Sequence, residues 1–371
     1  MKKKIGLDHL EEITPYKGGD FHINELKTLS KNKIKLTKLA SNENPAGISL
    51  LAKKAIQKEI NELARYPDSN GFQLKKIISQ KYKVPIDWVV LGNGSNDILD
   101  LVARALVSPK DSVIFSEYSF AVYALSTKII GAKGIKVPSK NFGHDLNAMK
   151  KAITENTKLI YIANPNNPTG TFLNEKSLKN FIKSVPSSIV IVLDEAYTEY
   201  LSKKDSFNSI SWIKNYSHLF ISRTFSKAYG LAGLRIGFGI GQKKITNLIN
   251  RVRHPFNVNT LAQVAAISAF KDKDFLKLSI KINKLGYAQI TNAFDKLKVK
   301  YIPSYANFIL FHAGDLNYSS KKIFSILLSK GIIIRSVTEY GLNNWLRVSI
   351  GMPKENEKFI KALEIILSKD K

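Results

Sequence analysis

An α/β fold is predicted, with a large unit built on a mainly parallel seven-stranded sheet covered by helices and a smaller α+β unit following it. Two features of the chain carry this expectation. Seven short apolar runs (Val89–Leu91, Ser112–Phe115, Gly134–Val137, Leu159–Ala163, Ile189–Leu193, His218–Ile221 and Ile236–Ile240) are strand-sized, and helical stretches separate several of them. The polar residues with the most chemical character fall just beyond the ends of those runs, where open α/β sheets place their ligands.

In chain order, the first 45 residues are rich in turn-forming residues, with Thr14-Pro15-Tyr16-Lys17-Gly18-Gly19 and Leu39-Ala40-Ser41-Asn42-Glu43-Asn44-Pro45, and read as an N-terminal arm. Leu51 to Leu63 puts Ala52, Ala55, Ile56 and Ile60 on one helical face. It ends before Arg65-Tyr66-Pro67-Asp68, where proline disfavours a helix at Tyr66. Leu74–Tyr82 repeats the helical pattern. After Val89–Leu91 come Gly92-Asn93-Gly94-Ser95-Asn96-Asp97 and an apolar helix over Ile98–Val107. A glycine-rich turn into a helix start is either an ordinary capped turn or an anion cradle. The third glycine of a dinucleotide fingerprint is missing, which favours a phosphate over NAD.

Further helices are expected at Ser119–Ile130 and Glu175–Ser184, and then at Ala262–Phe270 and Phe275–Leu297. Strands at Tyr301–Ile302, Asn307–Phe311, Ile332–Arg335 and Trp345–Ile350, with helices at Ser319–Lys330 and Glu355–Leu367, form the smaller unit. The expected division is an arm over 1–45, a large domain over 46–255 and a small domain over 256–371.

Composition bounds the chemistry. The 371 residues include no cysteine, so disulfides and thiolate metal sites are excluded, and no metal is expected. Met1-Lys2-Lys3-Lys4 is not followed by a signal-peptide apolar region, and no apolar run approaches membrane length, so a cytoplasmic protein without membrane contact is expected. Net charge is +27, from 57 basic and 30 acidic residues. The lysines are spread along the chain without a clustered basic and aromatic stretch, so nucleic-acid binding is only the remote alternative.

A lysine amine of lowered pKa forms imines with aldehydes, and pyridoxal phosphate is the usual aldehyde held this way. Such a cofactor asks for a lysine, a carboxylate opposite its ring nitrogen, donors to its ring oxygen, a stacking face and a phosphate cup. Lys227 stands beyond a strand end among Ser, Thr and Gly residues. Asp194 ends a buried strand, where it is either a cap or ion-pair partner, or the group that keeps a ring nitrogen protonated. Tyr197 and Asn167 are the candidate donors to the ring oxygen.

Asn164-Pro165-Asn166-Asn167-Pro168-Thr169-Gly170, Asp194-Glu195-Ala196-Tyr197 and Thr224-Phe225-Ser226-Lys227-x-x-Gly230-x-x-Gly233-x-Arg235 resemble the fold-type-I, pyridoxal-phosphate-dependent aminotransferases of class I/II. Within that family the finer resemblance is to the histidinol-phosphate aminotransferases. It is carried by Pro15-Tyr16-x-Gly18-Gly19, the Leu39–Pro45 segment, Arg65-Tyr66-Pro67-Asp68, Arg253-x-Pro255-Phe256-Asn257-Val258 and Gly331-Ile332-Ile333-Ile334-Arg335. The resemblance implies that Lys227 carries the cofactor as a Schiff base and shuttles the proton of a 1,3-shift. It gives Asp194 to the pyridinium nitrogen, Asn167 and Tyr197 to the ring oxygen, and Phe120 to the stacking face, with Tyr118 the less favoured occupant.

Gly94, Ser95, Asn96, Thr224, Ser226 and Arg235 are implied as the phosphate cup, with Tyr66 reaching the cofactor phosphate of a second subunit in a homodimer with shared sites. Tyr16, Asn42, Arg335 and Arg347 are implied as the substrate-binding set. The implied reaction moves an amino group between L-histidinol phosphate and 2-oxoglutarate; aromatic amino-acid aminotransfer and threonine-phosphate-type decarboxylation are the alternatives on the same scaffold. One departure stands in the cup: Ser95 is followed by Asn96, where many relatives have an acidic residue.

Overall fold

The computed structural model describes residues 6–11, 13–15, 35–314 and 318–368. After a two-residue strand β1 (Thr37–Lys38), the chain enters the large sheet. Its strands are β2 (Val89–Gly92), β3 (Ser112–Ser116), β4 (Lys133–Val137), β5 (Thr157–Ala163), β6 (Val190–Asp194), β7 (Leu219–Thr224) and β8 (Gly237–Ile240). Their order across the sheet is β2-β8-β7-β6-β5-β3-β4. Only β8 runs against the rest, pairing antiparallel with both β2 and β7. The expected seven-stranded, mainly parallel sheet is therefore the one observed.

Side chains alternate between the faces of a strand, so each buried strand feeds two cores. Ile114, Ile160, Ile162, Ile191, Leu193, Leu219 and Ile221 enter one apolar cluster. Their neighbours Val113, Phe115, Leu159, Tyr161, Ala163, Val192 and Phe220 enter the other. With both faces dry, polar side chains are left to the strand ends, and that is where the site forms.

Helices form close to their expected bounds, with local chemistry fixing their starts. Leu50–Glu59 begins after Ser49, whose hydroxyl accepts from the Ala52 amide, and Glu175–Ser184 after Asn174, whose carbonyl accepts from Ser177. Two helices of the large unit were not expected. Leu146–Lys151 is only six residues long, whereas Lys243–Val252 carries a helical stripe of Ile245, Leu248, Ile249 and Val252 that sequence reasoning passed over.

The small unit's core gathers Ile290 and Phe294 from the helix Lys273–Lys296 with Phe359, Leu363 and Ile366 from Pro353–Ser368. They pack on a sheet containing β9 (Tyr301–Ile302) and β10 (Phe308–His312). The single strand expected over Ile332–Arg335 divides in two. Strand β11 (Ile332–Ile333) pairs parallel with β1, whereas β12 (Arg335–Ser336) pairs antiparallel with β13 (Trp345–Ser349). The chain changes sheets at Ile334, which is itself buried. The small sheet then runs β12-β13-β10-β9.

Helix Thr260–Lys271 belongs with the large unit: Ala262, Ala265, Ala266 and Ala269 join its core, and Ala-rich contact lets the helix lie against Leu50–Glu59. We propose that the division between the two units falls after this helix, later than residue 255, and that limited proteolysis would release a fragment beginning beyond Lys271. Among the described residues no helix is long and apolar enough to cross a membrane, and no His, Asp and Glu cluster could hold a metal.

Candidate active site

The carboxyl ends of β5, β6 and β7 open beneath the small unit into a cavity of about 270 Å³. The wall is formed by Ser95, Asn96, Phe120, Asn167, Asp194 and Tyr197 from the large sheet's strand ends and helix starts. Thr224 at the end of β7 and Ser226, Lys227 and Arg235 beyond it follow, and Asn42, Arg335 and Arg347 close the far side. Gly94 stands behind Arg235. Its φ is +88°, and a Cβ there would lie 2.4 Å from Arg235 Nη2, so only glycine lets the guanidinium lie against the turn.

Helix Ser95–Leu106 starts at this point with Gly94 as its N-cap and no capping side chain. Its first amides and the positive end of its dipole suit an anion. Arg235 is held beside it by the Ala232 carbonyl at 2.9 Å and the Ser226 hydroxyl at 3.4 Å. Thr224 Oγ1 accepts from the Ser226 amide, which fixes the turn leading to Lys227.

Lys227 Nζ donates to the Ser41 carbonyl at 3.2 Å and lies 5.8 Å from the centre of the Tyr197 ring. Burial lowers its pKa to about 8, helped by Arg347 and Arg235 and opposed by Glu43 and Asp194. Burial pushes Asp194 the other way, up to about 6, against the Tyr123 hydrogen bond and the pull of the nearby Ala196 amide and Lys227. Asp194 Oδ2 accepts from Tyr123 at 2.7 Å, while Oδ1 is buried without a hydrogen-bond partner.

Tyr197 receives a hydrogen bond on its hydroxyl from Asn42 Nδ2 at 3.1 Å. Asn42 adopts φ +55° and has its amide and carboxamide oxygen tied to Ser349, so its orientation is fixed by β13. Asn167 Oδ1 accepts from Arg347 Nη1, and Arg347 Nη2 donates to the Ala40 carbonyl at 2.8 Å. Arg335 and Arg347 are direct partners across β12 and β13, and Arg335 also pairs with Glu339.

Phe120 lies on the cavity wall, edge-on to Tyr123. Tyr118 packs instead on Phe142 with the cluster around Leu310 and Val337. Tyr66 is outside the cavity, 82% exposed and stacked on Phe256. Tyr16 lies outside the described residues.

The structure adds residues that sequence reasoning passed over. Tyr123 stacks on Tyr161 at 4.5 Å while donating to Asp194; its place three residues after Phe120 in a helix was the available signal. Behind Asp194, Arg223 Nε and Nη2 grip Glu195 Oε2 at 2.9 and 2.6 Å, in a buried ion pair that also receives the Ser209 hydroxyl. Glu195 follows Asp194 and its amide bonds the Ser222 carbonyl, so the pair locks the ends of β6 and β7 together. Tyr340 completes the wall beside Arg335.

The sequence model of the family described as Aminotransferase class I and II matches residues 34–363. The chain belongs to the class I and II aminotransferases. Among relatives of this family, it is 49% identical to histidinol-phosphate aminotransferase 2 of Ralstonia nicotianae, covering 99% of this chain and 98% of that one. It is 50% identical to histidinol-phosphate aminotransferase 1 of Cupriavidus pinatubonensis, over 98% and 96% of the two chains. The solved histidinol-phosphate aminotransferase of Sinorhizobium meliloti in complex with pyridoxal 5'-phosphate shares the aminotransferase fold at a TM-score of 0.89. It is 24% identical, with 98% of each chain covered.

Proposed function

We propose that this aminotransferase uses pyridoxal 5'-phosphate to move an amino group between L-histidinol phosphate and 2-oxoglutarate. The observation that carries the reading is the partnerless Asp194 Oδ1, buried in the same cavity wall as a lysine of lowered pKa. An unpaired buried carboxylate oxygen is costly, and a protonated ring nitrogen is the partner that would satisfy it.

The residues fit this cofactor. The glycine cradle at Gly94, the first amides of Ser95–Leu106, Thr224, Ser226 and Arg235 would hold its phosphate. Phe120 would cover its ring, and Tyr197 and Asn167 would address its ring oxygen. When bound, the cofactor supplies an aldehyde and a ring that accepts electrons from the substrate carbon.

The chain's own groups do the rest. With a pKa near 8, the Lys227 amine is neutral often enough to act as a nucleophile and then to take and return the substrate's proton at Nζ. Asp194, fixed by Tyr123, keeps negative charge where the ring nitrogen must stay protonated. Arg347 and Arg335 present guanidinium groups to a substrate anion, a phosphate in one half-reaction and a carboxylate in the other.

The names and coverage of the curated relatives support histidinol phosphate as the donor, and the paired arginines support an anionic substrate end. We further propose a homodimer in which the exposed Tyr66 reaches the partner's cofactor phosphate; a sedimentation mass of one chain would remove that part.

The covalent step is tested by incubating the protein with pyridoxal phosphate, reducing with borohydride and mapping peptides. A pyridoxyl group on Lys227 is expected; modification confined to other lysines would overturn the assignment.

A further inference from the structure

Arg335 and Arg347 face each other directly across β12 and β13, both at 6% exposure and both lining the cavity. Like charges at directly opposed strand positions repel, and burial strengthens the repulsion. Such a pair stores attraction for a doubly charged anion. It also creates a difficulty, because any small divalent anion can occupy it.

Glu339 is placed to moderate that attraction. It lies four residues beyond Arg335, in the single 3-10 turn Thr338–Tyr340, and its Oε1 pairs with Arg335 Nη2. Its side chain is 38% exposed and is absent from the wall of the active-site cavity. It lines instead an adjoining cavity of about 570 Å³, which shares Phe120 and Tyr340 with the first. The carboxylate therefore reaches the guanidinium from behind the wall. A substrate anion approaches the same guanidinium from the other side.

We propose that Glu339 is a specificity-determining residue that acts through Arg335, a built-in competing anion that weakens the twin-arginine site for free divalent anions. The proposal rests on the reading of Arg335 and Arg347 as the substrate-anion site. A complete substrate overcomes the competition because the rest of the molecule is bound elsewhere in the cavity, whereas a bare anion has no other contacts to draw on. The phosphorylated ligand also stays exchangeable between half-reactions, because the site's net positive charge is reduced.

The effect has a charge signature. Removing one negative charge acts on a dianion about twice as strongly, in free energy, as on a monoanion. Solvent screening at the half-exposed Glu339 keeps both effects modest.

The test is calorimetric titration of the pyridoxal-phosphate-loaded protein with inorganic sulfate and, separately, acetate. The cofactor then occupies its own phosphate cup. In E339Q, which keeps an acceptor for Arg335 but no charge, sulfate is expected to bind about tenfold tighter and acetate about threefold tighter. E339A is expected to change in the same direction. Sulfate binding that is unchanged, weaker or undetectable in E339Q would overturn the proposal. Weaker binding in E339A alone would likewise overturn it, by showing that Glu339 serves only to orient Arg335. R335A separates the two readings. If sulfate binds equally well without Arg335, the anion-site reading itself falls. If R335A weakens sulfate and E339Q does not strengthen it, only the role of Glu339 falls.

Discussion

Asp194 sits in a position that only a bound partner makes comfortable. Its Oδ2 is satisfied by Tyr123, its Oδ1 is not satisfied, and burial raises its pKa from 3.8 to about 6. A carboxyl that holds its proton more tightly when folded makes stability fall as pH rises through that window, with the loss complete above about pH 6. In the cofactor-free protein, D194N is therefore expected to be the more stable form at pH 8, by up to about 3 kcal/mol for a displacement of about two pH units. The advantage should vanish near pH 4. Urea midpoints of the two cofactor-free proteins at both pH values check this, and a difference independent of pH would contradict it. Lys227 has the opposite sense: its ammonium form is disfavoured by burial, so its contribution to stability rises between about pH 8 and 10.5.

The residues that sequence reasoning found carry their meaning in their immediate neighbours. Lys227 follows Ser226 and stands three residues before Gly230, Asn167 lies in a turn between Pro165 and Pro168, and Asp194 ends a strand. Tyr123 and Glu339 were not found because their meaning lies across space. Tyr123 reads as one more apolar helical residue until β6 brings Asp194 to it, and Glu339 reads as a surface charge until a tight turn folds it back on Arg335.

At the level of elements, the site depends on how closely β8 approaches the helix Ser95–Leu106. A Cβ on Gly237 would lie 2.5 Å from the Ser95 amide nitrogen, 2.7 Å from the Gly94 carbonyl carbon and 2.9 Å from the Arg223 carbonyl oxygen. All three are backbone atoms, so no side-chain rotation relieves the clash. G237A is expected to destabilise the fold by about 1–3 kcal/mol and, if Gly94 and Ser95 begin the phosphate cradle as proposed, to weaken pyridoxal phosphate binding. Urea midpoints and cofactor titration measure the two effects, and no change in either would contradict the placement. Most strands were legible because each is a buried run bounded by turn residues. β1 was not, since two residues give no periodicity and its partner β11 is far along the chain. The break at Ile334 was hidden for a related reason: Ile332, Ile333 and Ile334 are all buried, so no alternation marks the change of sheet.

For the whole molecule, the two cores meet across the active site. Leu39 belongs to the small unit's core, while Ser41, two residues later, gives its carbonyl to Lys227. Asn42 likewise joins Ser349 of the small sheet to Tyr197 of the large unit. On the proposed reading, substrate groups at Arg335 and Arg347 would be held by one unit and the reacting Lys227 by the other. The net charge of +27 is consistent with attraction of anionic substrates, and within the cavity Lys227, Arg235, Arg335 and Arg347 outnumber Glu43 and Asp194. Thr260–Lys271 follows the boundary expected at residue 255 yet packs with the large core, which is the ground for the later division proposed above.

The most direct measurement of the proposed function is kcat/KM for a panel of amino donors with 2-oxoglutarate: histidinol phosphate, phenylalanine, tyrosine and threonine phosphate. A phosphate dianion can engage both guanidinium groups where an amino-acid carboxylate brings a single charge, so one additional charge-assisted bond of about 1.5–3 kcal/mol sets the expected margin. Histidinol phosphate should exceed phenylalanine and tyrosine by about ten- to a hundredfold, and threonine phosphate should release no carbon dioxide. An aromatic amino acid matching or exceeding histidinol phosphate, or carbon dioxide released from threonine phosphate, would contradict the account.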